Sequence, residues 1–271
     1  MTLVSTNWLN ENIDKVKVVD ASWHLVKNRN SFEEYKNEHI KNAIFFDLDK
    51  LSNQKKNLPH GHFLPNLHDH EKLISEMGIL NTDRVIIYCC SDLISSARAW
   101  FQFIYFGHDP KLVSVLNGGL KKWKLENRKV TNEQTKIIPS KYKAKENINM
   151  VKKKDEIDKN IKNKNFTVLD ARSKNRFLGL EPEPRPGVTG GSIEGSKSLP
   201  FTKLINQKDN TFLNKQKLSN IFNNIGINSN KVVMSCGSSV SAASLALAYS
   251  LINDDYIAKI YIGSWTEYGK K

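Results

Sequence analysis

The sequence predicts two similar α/β domains, each a mostly parallel sheet with helices on both faces. Three observations carry this. Short β-branched runs, too short for helices, alternate with longer stretches that suit helices, the pattern of βαβ units. The whole pattern occurs twice, the copies about 150 residues apart. A polar, Lys-rich stretch with Pro139 lies between them, so the expected division is a domain at 1–132, a linker at 133–148 and a domain at 149–271.

The elements answer one another in order. Val18-Val19-Asp20-Ala21-Ser22 is matched by Val168-Leu169-Asp170-Ala171-Arg172, each a short buried strand ending in Asp. Phe32 to Ile44 and Phe177 to Leu199 each run through a short helix or loop toward a second apolar strand. Arg84-Val85-Ile86-Ile87-Tyr88-Cys89 is matched by Lys231-Val232-Val233-Met234-Ser235-Cys236. Helix-compatible stretches follow both, Ser95 to Tyr105 and Ser241 to Leu251. Val113 to Gly119 and Ile257 to Gly263 each end a strand in glycine, with Trp123 and Trp265 close behind.

Composition narrows the function classes. The chain has 271 residues and 39% hydrophobic content, enough for packed domains. No apolar run approaches the roughly 20 residues that span a bilayer, and Met1 to Asn12 lacks the basic and apolar regions of a secretory signal. A soluble, cytoplasmic enzyme with no membrane partner is expected. The net charge is +13, but the lysines do not gather into a motif with interleaved aromatics, so no nucleic-acid partner is expected. The charge instead raises the local concentration of a small anionic substrate. Three cysteines, two of them adjacent (Cys89, Cys90, Cys236), make no disulfide framework and suit a reducing compartment. His60, His62, His68 and His70 cluster on a Pro-, Gly- and Asn-rich stretch without helical spacing, so neither a metal nor another cofactor is expected there.

Cys236 is the candidate nucleophile, and the residues by themselves leave a structural core cysteine equally open. A lone cysteine is commonly a small buried core residue. This one ends an apolar strand and precedes small or β-branched residues that lead into an Ala/Ser-rich helix. The N–H groups of Gly237 to Ser241 and the helix N-terminus favour a thiolate, and equally the anionic terminal sulfur of a persulfide. Phosphatase chemistry is excluded. It needs an Arg after five further residues to grip phosphate bidentately, and Ala242 stands there.

Taken together, the chain resembles the tandem-domain rhodanese superfamily, in particular its 3-mercaptopyruvate sulfurtransferases. The resemblance runs almost end to end: Leu3 to Leu9, Glu38-His39-Ile40, Phe46 to Asp49, His62-Phe63-Leu64-Pro65, Asn117 to Trp123, Asp170 to Ser173 and Arg176 to Gly179. Its most specific part is Glu181-Pro182-Glu183-Pro184-Arg185 followed at a distance by Cys236-Gly237-Ser238-Ser239-Val240 and Gly263-Ser264-Trp265.

The resemblance implies that sulfur passes from 3-mercaptopyruvate through a Cys236 persulfide to cyanide, a small thiol or a thioredoxin-like protein, with release of pyruvate. Arg176 and Arg185 match the residues that hold the donor carboxylate and ketone, and Gly237, Ser239, Val240 and Ser241 complete the donor site. Ser238, His62 and Asp49 match a proton relay. Arg172 is structural. Thiosulfate-using relatives place basic residues directly after the cysteine; the uncharged Gly237, Ser238 and Ser239 favour the monoanionic donor. The rival readings are a thiosulfate sulfurtransferase and a non-catalytic binding or sensing module.

All seven histidines lie between His24 and His108, so a histidine serving Cys236 is expected to reach across from the other domain. The chain also departs from the pattern. The loop from Asp49 to His62 is two residues longer than expected. Asn53 stands for Asp, Ser192 for His, Ser241 for Thr and Ile262 for Asp. Ser239 stands for Gly and crowds the loop if its φ must be positive. Cys89 and Cys90 occupy the first-domain counterpart of the active loop, where the acidic Asp92 opposes a thiolate, so that copy is read as degenerate.

Overall fold

The computed structural model describes residues 1–25, 28–53, 58 and 61–270. Two compact units divide the chain. In the first unit the strands are β1 (Leu3–Val4), β2 (Lys17–Asp20), β3 (Ala43–Phe45), β4 (Val85–Tyr88) and β5 (Val113–Leu116), in the order β1-β5-β4-β2-β3. In the second they are β6 (Val151–Lys152), β7 (Thr167–Asp170), β8 (Lys197–Ser198), β9 (Val232–Ser235) and β10 (Lys259–Tyr261), in the order β6-β10-β9-β7-β8. The two orders correspond strand for strand, and every pair of neighbouring strands is parallel.

Strands β4, β5 and β9 are buried along their whole length. That is the condition of a parallel sheet covered on both faces, and it explains their continuous apolar runs. The first unit's core gathers Val18, Ile86, Leu116, Leu120 and Trp123; the second unit's gathers Ile157, Val168, Val233, Tyr261 and Trp265. The helices used below are α1 (Ser31–Asn37), α2 (Leu67–Glu76), α3 (Ser96–Tyr105), α4 (Lys174–Phe177), α5 (Val240–Ser250) and α6 (Ser264–Tyr268). Every residue of α5 is buried, which its Ala- and Ser-rich sequence permits because it presents no bulky polar face.

Two segments depart from a division at mid-chain. Ser52–Leu64 belongs to the second unit and Asn206–Phe212 to the first. The stretch expected as a linker is part of the first unit as far as Asn147. Its backbone bonds onto that unit: Ser140 N–H donates to Ser75, Lys145 to Phe106 and Asn147 to Tyr105. Tyr142 is buried, which a polar composition does not reveal.

Candidate active site

Cys236 is the first residue after β9, and α5 begins four residues later. The residue is 2% exposed. The loop between is built from behind by α6. Ser264 Oγ accepts the N–H of Cys236 and that of Ser239, both at 3.2 Å, and donates to Tyr261 O at 2.8 Å. Thr266 binds Gly237 O through both its N–H, at 2.8 Å, and its hydroxyl, at 2.5 Å. The expected cradle of N–H groups is therefore only partly free. Those of Cys236 and Ser239 serve Ser264, whereas among the described residues those of Gly237 and Ser238 meet no protein acceptor. Val240 and Ser241 form the first turn of α5, where N–H groups lack intrahelical acceptors.

Ser239 has φ 62° and ψ 2°, the left-handed conformation in which a glycine is ordinarily favoured. The sequence concern about this position is met by the geometry, and two bonds hold the residue there. Its N–H goes to Ser264, and its hydroxyl donates to His62 O at 3.1 Å.

Two arginines stand over the loop. A Cβ on Gly237 would lie 3.0 Å from Arg176 Nη2 and 3.4 Å from Arg185 Nη1, so glycine leaves this space to the guanidinium groups. Arg176 is on α4, whose N-cap Ser173 accepts its N–H. Arg185 Nη2 donates to Ser238 Oγ at 2.8 Å.

The Glu183 side chain is nearly fully buried and shared by two arginines. It accepts Arg176 Nη2 at 2.5 Å and Arg172 Nη1 at 2.6 Å. Arg172 also forks onto Asp170 at the end of β7, at 2.6 Å, and lies over the Trp265 ring at 4.6 Å. Its expected structural role fits this enclosure. Glu183 and Ser264 lie within the motifs of the resemblance and Thr266 just beyond them, but only the fold shows what the three residues touch.

His62 is completely buried, unlike a solvated loop histidine, and its Nδ1 lies 3.0 Å from Ser238 Oγ. Its segment, Ser52–Leu64, groups with Cys236 in the second compact unit although it lies in the first half of the sequence. Its segment is tied in by the bond from Ser239 and by burial of Phe63. Asp49 belongs to the first unit, where its carboxylate accepts the Trp23 indole N–H at 3.2 Å. His60 lies outside the described residues. His68 is exposed on α2; His70, on the same helix, is buried and stacks on Phe106 at 3.9 Å. Burial pushes His70 down to about 3, so it is a neutral core ring. Among the described residues these histidines form no metal-binding group.

The first unit's loop has other neighbours. Cys90 Sγ lies 3.1 Å from Glu34 Oε2, and Arg29 forks onto the same carboxylate, both bonds at 2.7 Å. That guanidinium is the main cause holding Glu34 down at about 2. Burial pushes the Cys90 thiol far above its ordinary value, against a role as nucleophile.

Comparison with known proteins gives a consistent picture. Residues 5–126 and 153–271 match the rhodanese-like domain family. Thiosulfate/3-mercaptopyruvate sulfurtransferase 1, mitochondrial, of Arabidopsis thaliana is 35% identical over 98% of this chain and 75% of its own. The 3-mercaptopyruvate sulfurtransferase of Homo sapiens is 32% identical over 98% of this chain and 91% of its own. The crystal structure of SseA from Escherichia coli, described as a 3-mercaptopyruvate sulfotransferase, superposes with a TM-score of 0.87 at 29% identity, covering 98% of this chain and 99% of that one.

Proposed function

The chain belongs to the rhodanese-like family, and from that membership we propose that it is a sulfurtransferase that moves sulfur from 3-mercaptopyruvate through a persulfide on Cys236. The observation that carries the reading is the pair of guanidinium groups over Gly237, beside the cysteine loop. A planar, permanently charged fork suits a carboxylate next to a carbonyl.

The reaction is a covalent two-stage transfer. The Cys236 thiolate attacks the donor sulfur, the donor C–S bond breaks, and its electron pair becomes the enolate of pyruvate. Arg176 and Arg185 hold the carboxylate and ketone on which the enolate charge spreads. The N–H groups of Gly237 and Ser238 and the first turn of α5 face the anionic persulfide.

The enolate carbon needs a proton, and Ser238 supplies it. Arginine only donates, so Ser238 Oγ accepts from Arg185 and keeps its own hydrogen for the substrate, with His62 replacing it. The resemblance assigns Asp49 to the same relay. In the second stage the terminal sulfur passes to cyanide, a small thiol or a thioredoxin-like protein, which restores the thiolate. The three cysteines are unbridged, which suits a reducing compartment. Among the described residues no helix is long and apolar enough to cross a membrane.

Steady-state rates with 3-mercaptopyruvate and thiosulfate, measured side by side, test the reading. A higher kcat/KM for 3-mercaptopyruvate is expected; a preference for thiosulfate would replace the donor, and inactivity with both would leave a binding module.

A further inference from the structure

The first unit keeps the loop and changes its chemistry. Strand register pairs Asp20 with Tyr88 as it pairs Asp170 with Ser235. Cys89 therefore stands where the second unit has Cys236, and Cys90 where it has Gly237. In place of two arginines over a glycine, the first unit has a sulfur among a histidine and a carboxylate. Cys90 Sγ lies 3.8 Å from His24 Nε2 and 3.1 Å from Glu34 Oε2, and those two atoms are 3.0 Å apart. Cys90 and Glu34 line a cleft of about 680 Å³, and the His24 side chain is 4% exposed behind them.

We propose that Cys90, His24 and Glu34 form a binding site for a zinc-class divalent ion, with the fourth position open to the cleft. Tetrahedral zinc, with bonds of about 2.3 Å to sulfur and about 2.0–2.2 Å to nitrogen and oxygen, sets its ligand atoms about 3.3–3.6 Å apart. The three observed separations bracket that range, so shifts of a few tenths of an ångström complete the geometry.

A thiolate, an imidazole and one carboxylate oxygen suit zinc, whereas calcium and magnesium require oxygen ligands throughout. The outer shell is present as well. Arg29 Nε holds Glu34 Oε1 at 2.7 Å, which leaves Oε2 for the ion once Nη2 releases it. Binding replaces the Cys90 S–H bond by a sulfur–metal bond and sends one proton to solvent; no electrons are transferred. Thiolate and carboxylate together neutralise the ion, and Arg29 keeps a carboxylate oxygen as its partner.

Cobalt(II) is the probe, titrated into the chelator-treated full chain and followed by the sulfur-to-cobalt charge-transfer band. Wild type and Cys236→Ser should each bind one equivalent, with about one proton released, and zinc should displace the cobalt. Cys90→Ser should lose the band. His24→Ala and Glu34→Gln, checked for folding by circular dichroism, should weaken binding about tenfold or more. Zinc should raise the Tm of wild type and not that of Cys90→Ser. No saturable band in wild type would overturn the site, as would a band that survives Cys90→Ser and disappears in Cys89→Ser or Cys236→Ser.

Discussion

Ser238 Oγ stands 3.0 Å from His62 Nδ1, joining positions 176 residues apart in sequence. Only donors that leave as carbanions need the proton this pair can deliver; sulfite leaves thiosulfate as a stable anion. His62→Ala and Asp49→Asn should therefore lower kcat with 3-mercaptopyruvate by about 10²–10⁴-fold and leave residual thiosulfate activity nearly unchanged. Both donors are measured on folded variants. Equal losses on both would assign these residues to structure instead of proton transfer.

Arg185→Ala and Arg176→Ala should raise the KM for 3-mercaptopyruvate. Loss of one charge-assisted pair costs about 1.5–3 kcal/mol, roughly ten- to a hundredfold in kcat/KM. Glu183→Gln should produce a smaller rise, because Arg176 keeps its charge but loses its fixed pose. Unchanged kcat/KM in both arginine variants would make them surface groups.

Cys236→Ser should abolish transfer from every donor, and Cys89→Ser and Cys90→Ser should retain most of it. Mass spectrometry after donor treatment should find the added sulfur on Cys236. Sulfur found mainly on Cys89 or Cys90 would move the nucleophile to the other loop.

At position 239 the usual order of glycine and alanine should invert. Ser239→Gly relieves the left-handed backbone and Ser239→Ala does not, while both lose the hydroxyl bond to His62 O. Urea unfolding should find the glycine variant more stable by about 1 kcal/mol. Alanine equal or superior would contradict the left-handed conformation.

The paired strand ends predict a pH effect. Asp170 has Arg172 beside it, whereas Asp20 has Ser22, and burial pushes Asp20 up to about 6. A carboxyl raised on folding binds its proton more tightly in the native state, so its contribution is full below about 4 and is lost as pH rises through about 6. Asp20→Asn removes that loss. Between pH 4 and 7 the unfolding free energy of the variant should gain on wild type by up to about 3 kcal/mol. Parallel stability curves would show that Asp20 does not titrate in this range.

The duplicated fold was legible because each strand is a short β-branched run ending at a marked position, Asp20 and Asp170 or Cys89 and Cys236. The cysteine loop and the arginines placed over it were legible because strand, loop and helix are contiguous around Cys236 and the arginines lie in a specific motif. What escaped was set by chain return. Ser264 and Thr266 act on the loop from about 28 residues downstream. No local pattern of residues records such meetings. The polar stretch after Asn132 packs on the first unit through backbone bonds and the buried Tyr142, which its exposed lysines conceal.

Glu183 answers to two arginines, one enclosed in the fold and one at the site. Selection on donor choice and selection on folding therefore meet in a single carboxylate. A lineage shifting to another donor has little latitude at 172, 176 or 183, since any change there is also paid in stability. The short loop offers no easier route: a basic side chain at 237 would meet both guanidinium groups, so donor preference and arginine position change together.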